Sequence, residues 1–189
     1  MFEYFKDNYA WNLAAVTLIE EVGTISEPET AFRKVAHLAA ADVVTANFAW
    51  TTAMTELGER LEALGHADAA AKRHLSAARK YHRAAMYFIR AERMTSHKDP
   101  RGLAIYKRAL ENSRQARVLG GDPIEFVEIP YKKGVLPALF LRAEGDRPAP
   151  TIRLHRRLVQ RDAHWPLIAE YPLGASSLNQ KRESSGHEL

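Results

Sequence analysis

The chain has 189 residues, 46% of them hydrophobic, a formal net charge of +4 and no cysteine, which is enough apolar material for a real core in one ordinary domain. The missing thiol excludes disulfides, zinc–thiolate centres and cysteine nucleophiles, and makes a reducing cytoplasm the expected address. No stretch approaches the run of about 18 apolar residues that a membrane span needs, and Met1 to Asp7 lacks the basic region and apolar core of a secretory signal.

Five amphipathic segments follow one another. The first runs from about Asn8 to Val22, where Trp11, Ala15, Leu18 and Val22 share one helical face and Gly23 is the stop. Ser26-Glu27-Pro28-Glu29 reads as a capping box that opens a second helix, with proline tolerated in the first turn. Asp42 is placed to cap a third, in which Val43, Ala46, Trp50, Ala53, Leu57, Leu61 and Leu64 keep the helical spacing until Gly65. The fourth spans roughly Ala67 to Met94, with Leu75, Ala78, Tyr81, Ala85, Phe88 and Ile89 on one side. The fifth runs from about Pro100 to Leu119, capped by Asp99 and stopped by Gly120-Gly121. After Asp122-Pro123 the period shortens. Ile124 to Ile129, a Lys132-Lys133-Gly134 turn and Val135 to Leu141 predict a β-hairpin, and Thr151 to Leu154 could start a third strand. From His155 onward no period persists, and Gly174 to Leu189 has the composition of a disordered tail.

Charge is unevenly distributed. Met1 to Ala71 holds 4 basic and 11 acidic residues, whereas Lys72 to Arg117 holds 13 basic and 3 acidic ones. Such a contrast fits either a basic binding surface or two helical layers that attract each other across their edges.

A long helical block followed by Glu125-Phe126-Val127-Glu128-Ile129-Pro130-Tyr131, a Lys-Gly turn and Leu136-Pro137-Ala138-Leu139-Phe140-Leu141 resembles one group of α/β-hydrolases. These carry an N-terminal helical cap, as in dihydropseudooxynicotine hydrolase and the polyketide-shortening hydrolases of fungi. The resemblance covers about Met1 to Ile152, and rests most on Asp99-Pro100-Arg101-Gly102-Leu103-Ala104-Ile105-Tyr106, on Gly120-Gly121-Asp122-Pro123, and on the hairpin with Pro148-Ala149-Pro150-Thr151-Ile152. It implies a fold that is mainly α: a five-helix cap region over residues 1–121, the opening strands of a hydrolase sheet over 122–154, and an unpatterned tail over 155–189.

The resemblance also implies what should follow the third strand: an oxyanion-hole loop, a Gly-x-Ser-x-Gly elbow, an acid and a histidine. No Gly-x-Ser-x-Gly occurs in the chain, and Gly174-Ala175-Ser176-Ser177-Leu178 lacks the closing glycine. The expectation is therefore a chain that ends before the catalytic residues, through truncation or a tail read out of frame, and that is inactive by itself. It names no catalytic residue, no metal and no cofactor. A small-molecule substrate belongs to the complete family, with Trp50, Tyr81, Tyr87 and Phe88 as the aromatics to inspect for a pocket wall, core packing being the plain reading for each. Strand residues Phe126, Ile129, Leu139 and Leu141 would face water, so self-association is expected.

Other constellations read structurally. Lys72, Arg79, Arg83 and Arg90 share one helix line, a solvated face or else a phosphate-binding stripe, but no aromatics interleave them and nucleic acid is not expected as a partner. His74, Tyr81 and Glu92 fall on the apolar side of the same helix, where a satisfied polar cluster is the plain reading and a pocket lining the sharper one. The eight histidines lack metal-ligand spacing, and His155 and His164 sit in the unpatterned tail. The rival from another class is a non-enzymatic helical interaction module. The long helices and the lack of a 34-residue signature argue against tetratricopeptide-like repeats.

Overall fold

The computed structural model describes residues 3–96 and 98–141. The chain divides between Asp122 and Pro123 into two units. The first holds five helices: α1 (Tyr9–Val22), α2 (Ser26–Val35), α3 (Val43–Ala70), α4 (His74–Glu92) and α5 (Pro100–Gly120), with a single 3-10 turn at Ala36–Leu38 after α2. In the second, β1 (Ile124–Tyr131) and β2 (Gly134–Leu141) form an antiparallel hairpin. This is the mainly α architecture expected, with five helices and then a hairpin. The proposed strand at Thr151–Leu154 and the tail lie outside the described residues.

Local chemistry sets most helix ends. The Asn8 side chain accepts from the Trp11 N–H at 2.9 Å and opens α1, which Gly23 ends in the left-handed region at φ 72°. Asp42 accepts from the N–H groups of Val44 and Thr45, each at 3.1 Å, and Asp99 accepts from the Arg101 N–H at 2.9 Å. Gly121 ends α5 at φ 74°.

Three expectations need correction. Ser26 is already helical and Ile25 is the N-cap with no side-chain bond, because the Ser26 hydroxyl pairs with Thr24 at 3.0 Å and Glu29 engages Arg33 and Tyr4 instead of reaching back. Gly65 does not stop α3. A Cβ there would lie 2.9 Å from the Tyr81 ring, so this glycine lets α4 approach within the helix. The fourth helix accordingly starts at His74, not near Ala67, and the turn before it runs through Lys72 at φ 59°. That turn is held by Asp68, a buried carboxylate that accepts from Arg73 at 2.5 Å, from Ser76 at 2.5 Å and from Lys80. With three donors on it, first among them Lys80, its pKa lies well below the ordinary carboxylate range.

α4 is the central helix and packs along both α3 and α5. Its small buried residues Ala77, Ala78, Ala84, Ala85 and Ala91 allow neighbours close on two sides. At one end of the α3–α4 pair an aromatic cluster fills the core: Phe5, Trp11, Phe32 and Trp50, each at 1% exposure or less, with centroids 5.0 Å apart for Phe5–Trp11 and 5.1 Å for Trp11–Trp50. Asn12 ties the preceding segment into it, accepting from the N–H groups of Tyr4 and Phe5 at 2.8 and 2.9 Å while donating to the Phe5 carbonyl at 2.7 Å. Val43 and Leu75, at the starts of α3 and α4, are exposed, as is Leu64 within α3.

The charge contrast resolves as attraction between helices. Arg83 meets Glu27 at 3.1 Å, Arg90 meets Glu21, and Arg108 meets Glu59 at 2.5 Å and also Glu62. Lys72, Arg79, Arg83 and Arg90 form neither one solvated face nor one phosphate-binding stripe, since Lys72 sits in the turn and Arg83 and Arg90 reach acidic partners on α2 and α1.

In the hairpin Ile124 faces Leu141 and Tyr131 faces Gly134 across a two-residue Lys132-Lys133 loop, with Lys132 at φ 52°. One face carries Ile124, Phe126, Leu139 and Leu141, and the other Val127, Ile129, Leu136 and Phe140.

Candidate functional site

The four aromatics proposed to wall a pocket all lie in the helical unit, at different levels. Trp50 belongs to the aromatic cluster, and its indole N–H donates to the Arg90 carbonyl at 3.1 Å. Phe88 lies against Gly58, where a Cβ would come 2.8 Å from the ring, and the Arg108 guanidinium stacks 4.5 Å from its centroid. Tyr81 sits on Gly65 with its hydroxyl 2.7 Å from His66 Nδ1. Burial, and secondarily the Glu62 charge, raises its pKa. Tyr87 is fully buried and its hydroxyl has no hydrogen-bond partner among the described residues. Burial pushes that phenol far above its ordinary value, and the nearby Glu27 adds to it.

These side chains are not brought to one point. Trp50 and the Gly65 that supports Tyr81 lie 15 residues apart on α3, about 22 Å along a helix. The His74, Tyr81 and Glu92 set is not a cluster either: His74 opens α4 and Glu92 ends it, and the partner of Tyr81 is His66.

The structure adds a polar group that sequence spacing did not single out. Glu27, in the first turn of α2, is joined by Arg83 of α4, with Tyr87 one turn further along α4. Burial raises the Glu27 pKa, and the Arg83 and Arg60 charges oppose that shift. The concentration of arginines on α4 was the available signal, but its partner lay 56 residues away in sequence.

No group of three or more metal-ligating side chains occurs among the described residues, and none of the described helices is long and apolar enough to cross a membrane. Ser176, the serine of the incomplete elbow, lies outside the described residues, as do His155 and His164.

Comparison with known proteins places the chain beside one class, the α/β-hydrolases. It is 34% identical over 106 residues to the alpha/beta hydrolase gkaG of Penicillium citrinum and 32% identical over 106 residues to the alpha/beta hydrolase pydG of an Acremonium species. In each case 52% of this chain is matched, and the chain spans a quarter of the length of these curated relatives. No family model matches the chain, and no solved structure does. The similarity bears out the resemblance to α/β-hydrolases seen in the sequence.

Proposed function

We propose that the chain is the helical cap region and opening strands of a serine α/β-hydrolase, and that it does not catalyse hydrolysis by itself. The observation that carries this reading is the match to two α/β-hydrolases over about a quarter of their length. The hairpin supports it. A sheet clothed on one face alternates apolar with polar residues, whereas here each face is mostly apolar with one glutamate, Glu128 on one and Glu125 on the other, which is nearer to strands covered on each side by helices. Phe126, Ile129, Tyr131, Leu136, Phe140 and Leu141 are exposed, so the pattern calls for covering layers and for strands along its edges.

In such an enzyme the cap excludes water and shapes the substrate site, while the sheet presents a serine that attacks an ester or a carbon–carbon bond next to a carbonyl. Trp50, Tyr81, Tyr87 and Phe88 remain our candidates for contact with a small-molecule substrate. The cysteine-free composition suits a reducing compartment such as the cytoplasm. No nucleic-acid partner is proposed, and the exposed strands favour self-association.

An activated ester and a fluorophosphonate label test the claim of inactivity. Expected are hydrolysis at the buffer rate and no labelled serine, because a nucleophile without its elbow, base and oxyanion hole gains little over water. Serine-dependent turnover with label on Ser176, or on any other serine, overturns it.

One observation favours a second reading, a non-enzymatic helical interaction module: the helical unit has its own aromatic core. Sedimentation of the full chain and of a version lacking residues 123–189 separates the two. A concentration-dependent full chain and a monomeric shortened chain favour the hydrolase piece. A monomeric full chain and a poorly soluble shortened one favour the module.

A further inference from the structure

Three polar atoms around the first turn of α2 are buried without a hydrogen-bond partner among the described residues: Glu27 Oε1, Arg83 Nε and the Tyr87 hydroxyl. The Glu27 and Arg83 side chains approach at 3.1 Å between Oε2 and Nε, yet the N–H of Nε is not aligned on that oxygen. Tyr87 follows Arg83 by four residues on α4, hence on the same face. It lies near enough for both charges to act on its hydroxyl. Arg60 of α3 completes the charged surroundings of Glu27.

The three atoms differ in what they offer. Arg83 Nε–H can only donate, the Glu27 carboxylate oxygen can only accept, and the phenol can do either. Burying such groups unpaired is costly, and low-dielectric surroundings raise that cost. An anion would satisfy Arg83 but be repelled by Glu27, and a cation the reverse. One oxygen carrying two hydrogens and two lone pairs answers all three: it accepts from Arg83 Nε, donates to Glu27 Oε1, and exchanges a third bond with Tyr87. Buried waters typically make about three such bonds.

We propose that Glu27, Arg83 and Tyr87 form a binding site for one buried water molecule that links the first turn of α2 to the middle of α4. The site does not depend on the hydrolase reading, since every member lies within the helical unit. It also gives the Tyr87 hydroxyl, which has no other hydrogen-bond partner among the described residues, a partner inside the helical unit.

Two measurements on the full chain test it. A high-resolution crystal structure should show a solvent peak within about 2.7–3.2 Å of at least two of the three atoms. A direct Glu27–Tyr87 hydrogen bond, or apolar closure with no solvent peak, overturns the proposal. The Tyr87→Phe variant, followed by helical circular dichroism, gives a test by sign. A phenol bonded to a held water loses that bond, and Tm should fall by about 3 °C. An unpaired buried hydroxyl is better removed, so an unchanged or raised Tm overturns the site. Glu27→Gln and Tyr87→Phe should also be non-additive when combined, although the two side chains share no direct bond.

Discussion

The helical unit and the hairpin spend their apolar residues differently. In the helices, Trp11 and Phe32 each meet Trp50 and all three are almost wholly hidden, while exposed apolar residues such as Val43 and Leu75 lie at helix starts. In the hairpin the apolar residues lie on both faces and are exposed on both. The sequence of the helical unit therefore encodes a structure that closes on itself. The hairpin is a two-stranded ribbon with apolar residues on both faces, and a ribbon of this kind is marginal alone in water.

The sharpest way to break that contrast is to remove one large ring from each unit. Trp50→Ala deletes a fully buried indole, its contacts with Phe5, Trp11 and Phe32, and its bond to the Arg90 carbonyl. It should cost about 3–5 kcal/mol in denaturant unfolding followed by circular dichroism. A loss below about 1 kcal/mol would show that the aromatic cluster does not hold the unit together.

Next comes backbone proximity. Gly58→Ala puts a Cβ 2.8 Å from the buried Phe88 ring, over which the Arg108 guanidinium also lies. Overpacking costs about 1–3 kcal/mol, and the better helix propensity of alanine returns about 1 kcal/mol, so a net loss near 1 kcal/mol is expected. Gly134→Ala meets no atom within 4 Å and should leave unfolding unchanged. Equal losses at the two positions would contradict the picture of a packed unit beside an open one.

These sites also show what was legible beforehand. Starts at Asp42 and Asp99 and stops at Gly23 and Gly121 could be read because capping is short-range chemistry. Gly65 carries the same residue signal but answers to Tyr81, 16 residues away, so the α3–α4 boundary could not be placed from a glycine. The turn that does end α3 contains neither glycine nor proline and depends on Asp68 gathering Arg73, Ser76 and Lys80. Phe5 and Phe32 gave no periodic signal, yet both are core, held there by Asn12 and by the packing of α2. For the candidate site, the aromatics of α4 were visible as a face, but the Glu27 that joins Arg83 and Tyr87 was hidden inside an apparent capping box.

Acid sharpens the comparison further, because the strongly bonded carboxylate belongs to the helical unit. Asp68 is depressed by Lys80 first, then by Ser76 and Arg73. A carboxylate with a lowered folded pKa adds stability above its unfolded value, and that stability is lost as pH falls from the ordinary aspartate value of 3.8 toward the folded one. Asp42, Asp99 and Glu29 shift the same way, and Glu27, raised by burial, works against them. The helical transition should therefore weaken below pH 3.8, and Asp68→Asn should be less stable at neutral pH but flatter across the acid range. Thermal melts at several pH values check this. An Asp68→Asn profile parallel to the parent would show that the carboxylate charge is not what holds the α3–α4 turn.

The smallest effect on stability is expected in the hairpin, where it carries the most information about function. Phe140 lies beside Ala138 and Leu136 on one hairpin face and is 41% exposed. Phe140→Thr keeps a residue that suits a strand and removes much of the apolar surface. The helical transition should stay within about 0.5 kcal/mol of the parent, while concentration-dependent sedimentation should move toward the monomer, because an exposed apolar strand pair is a template for association. A marked loss of helical stability would mean that the two units are not energetically separate. Unchanged association would mean that the strands are not the adhesive surface, which would remove self-association from the proposed function.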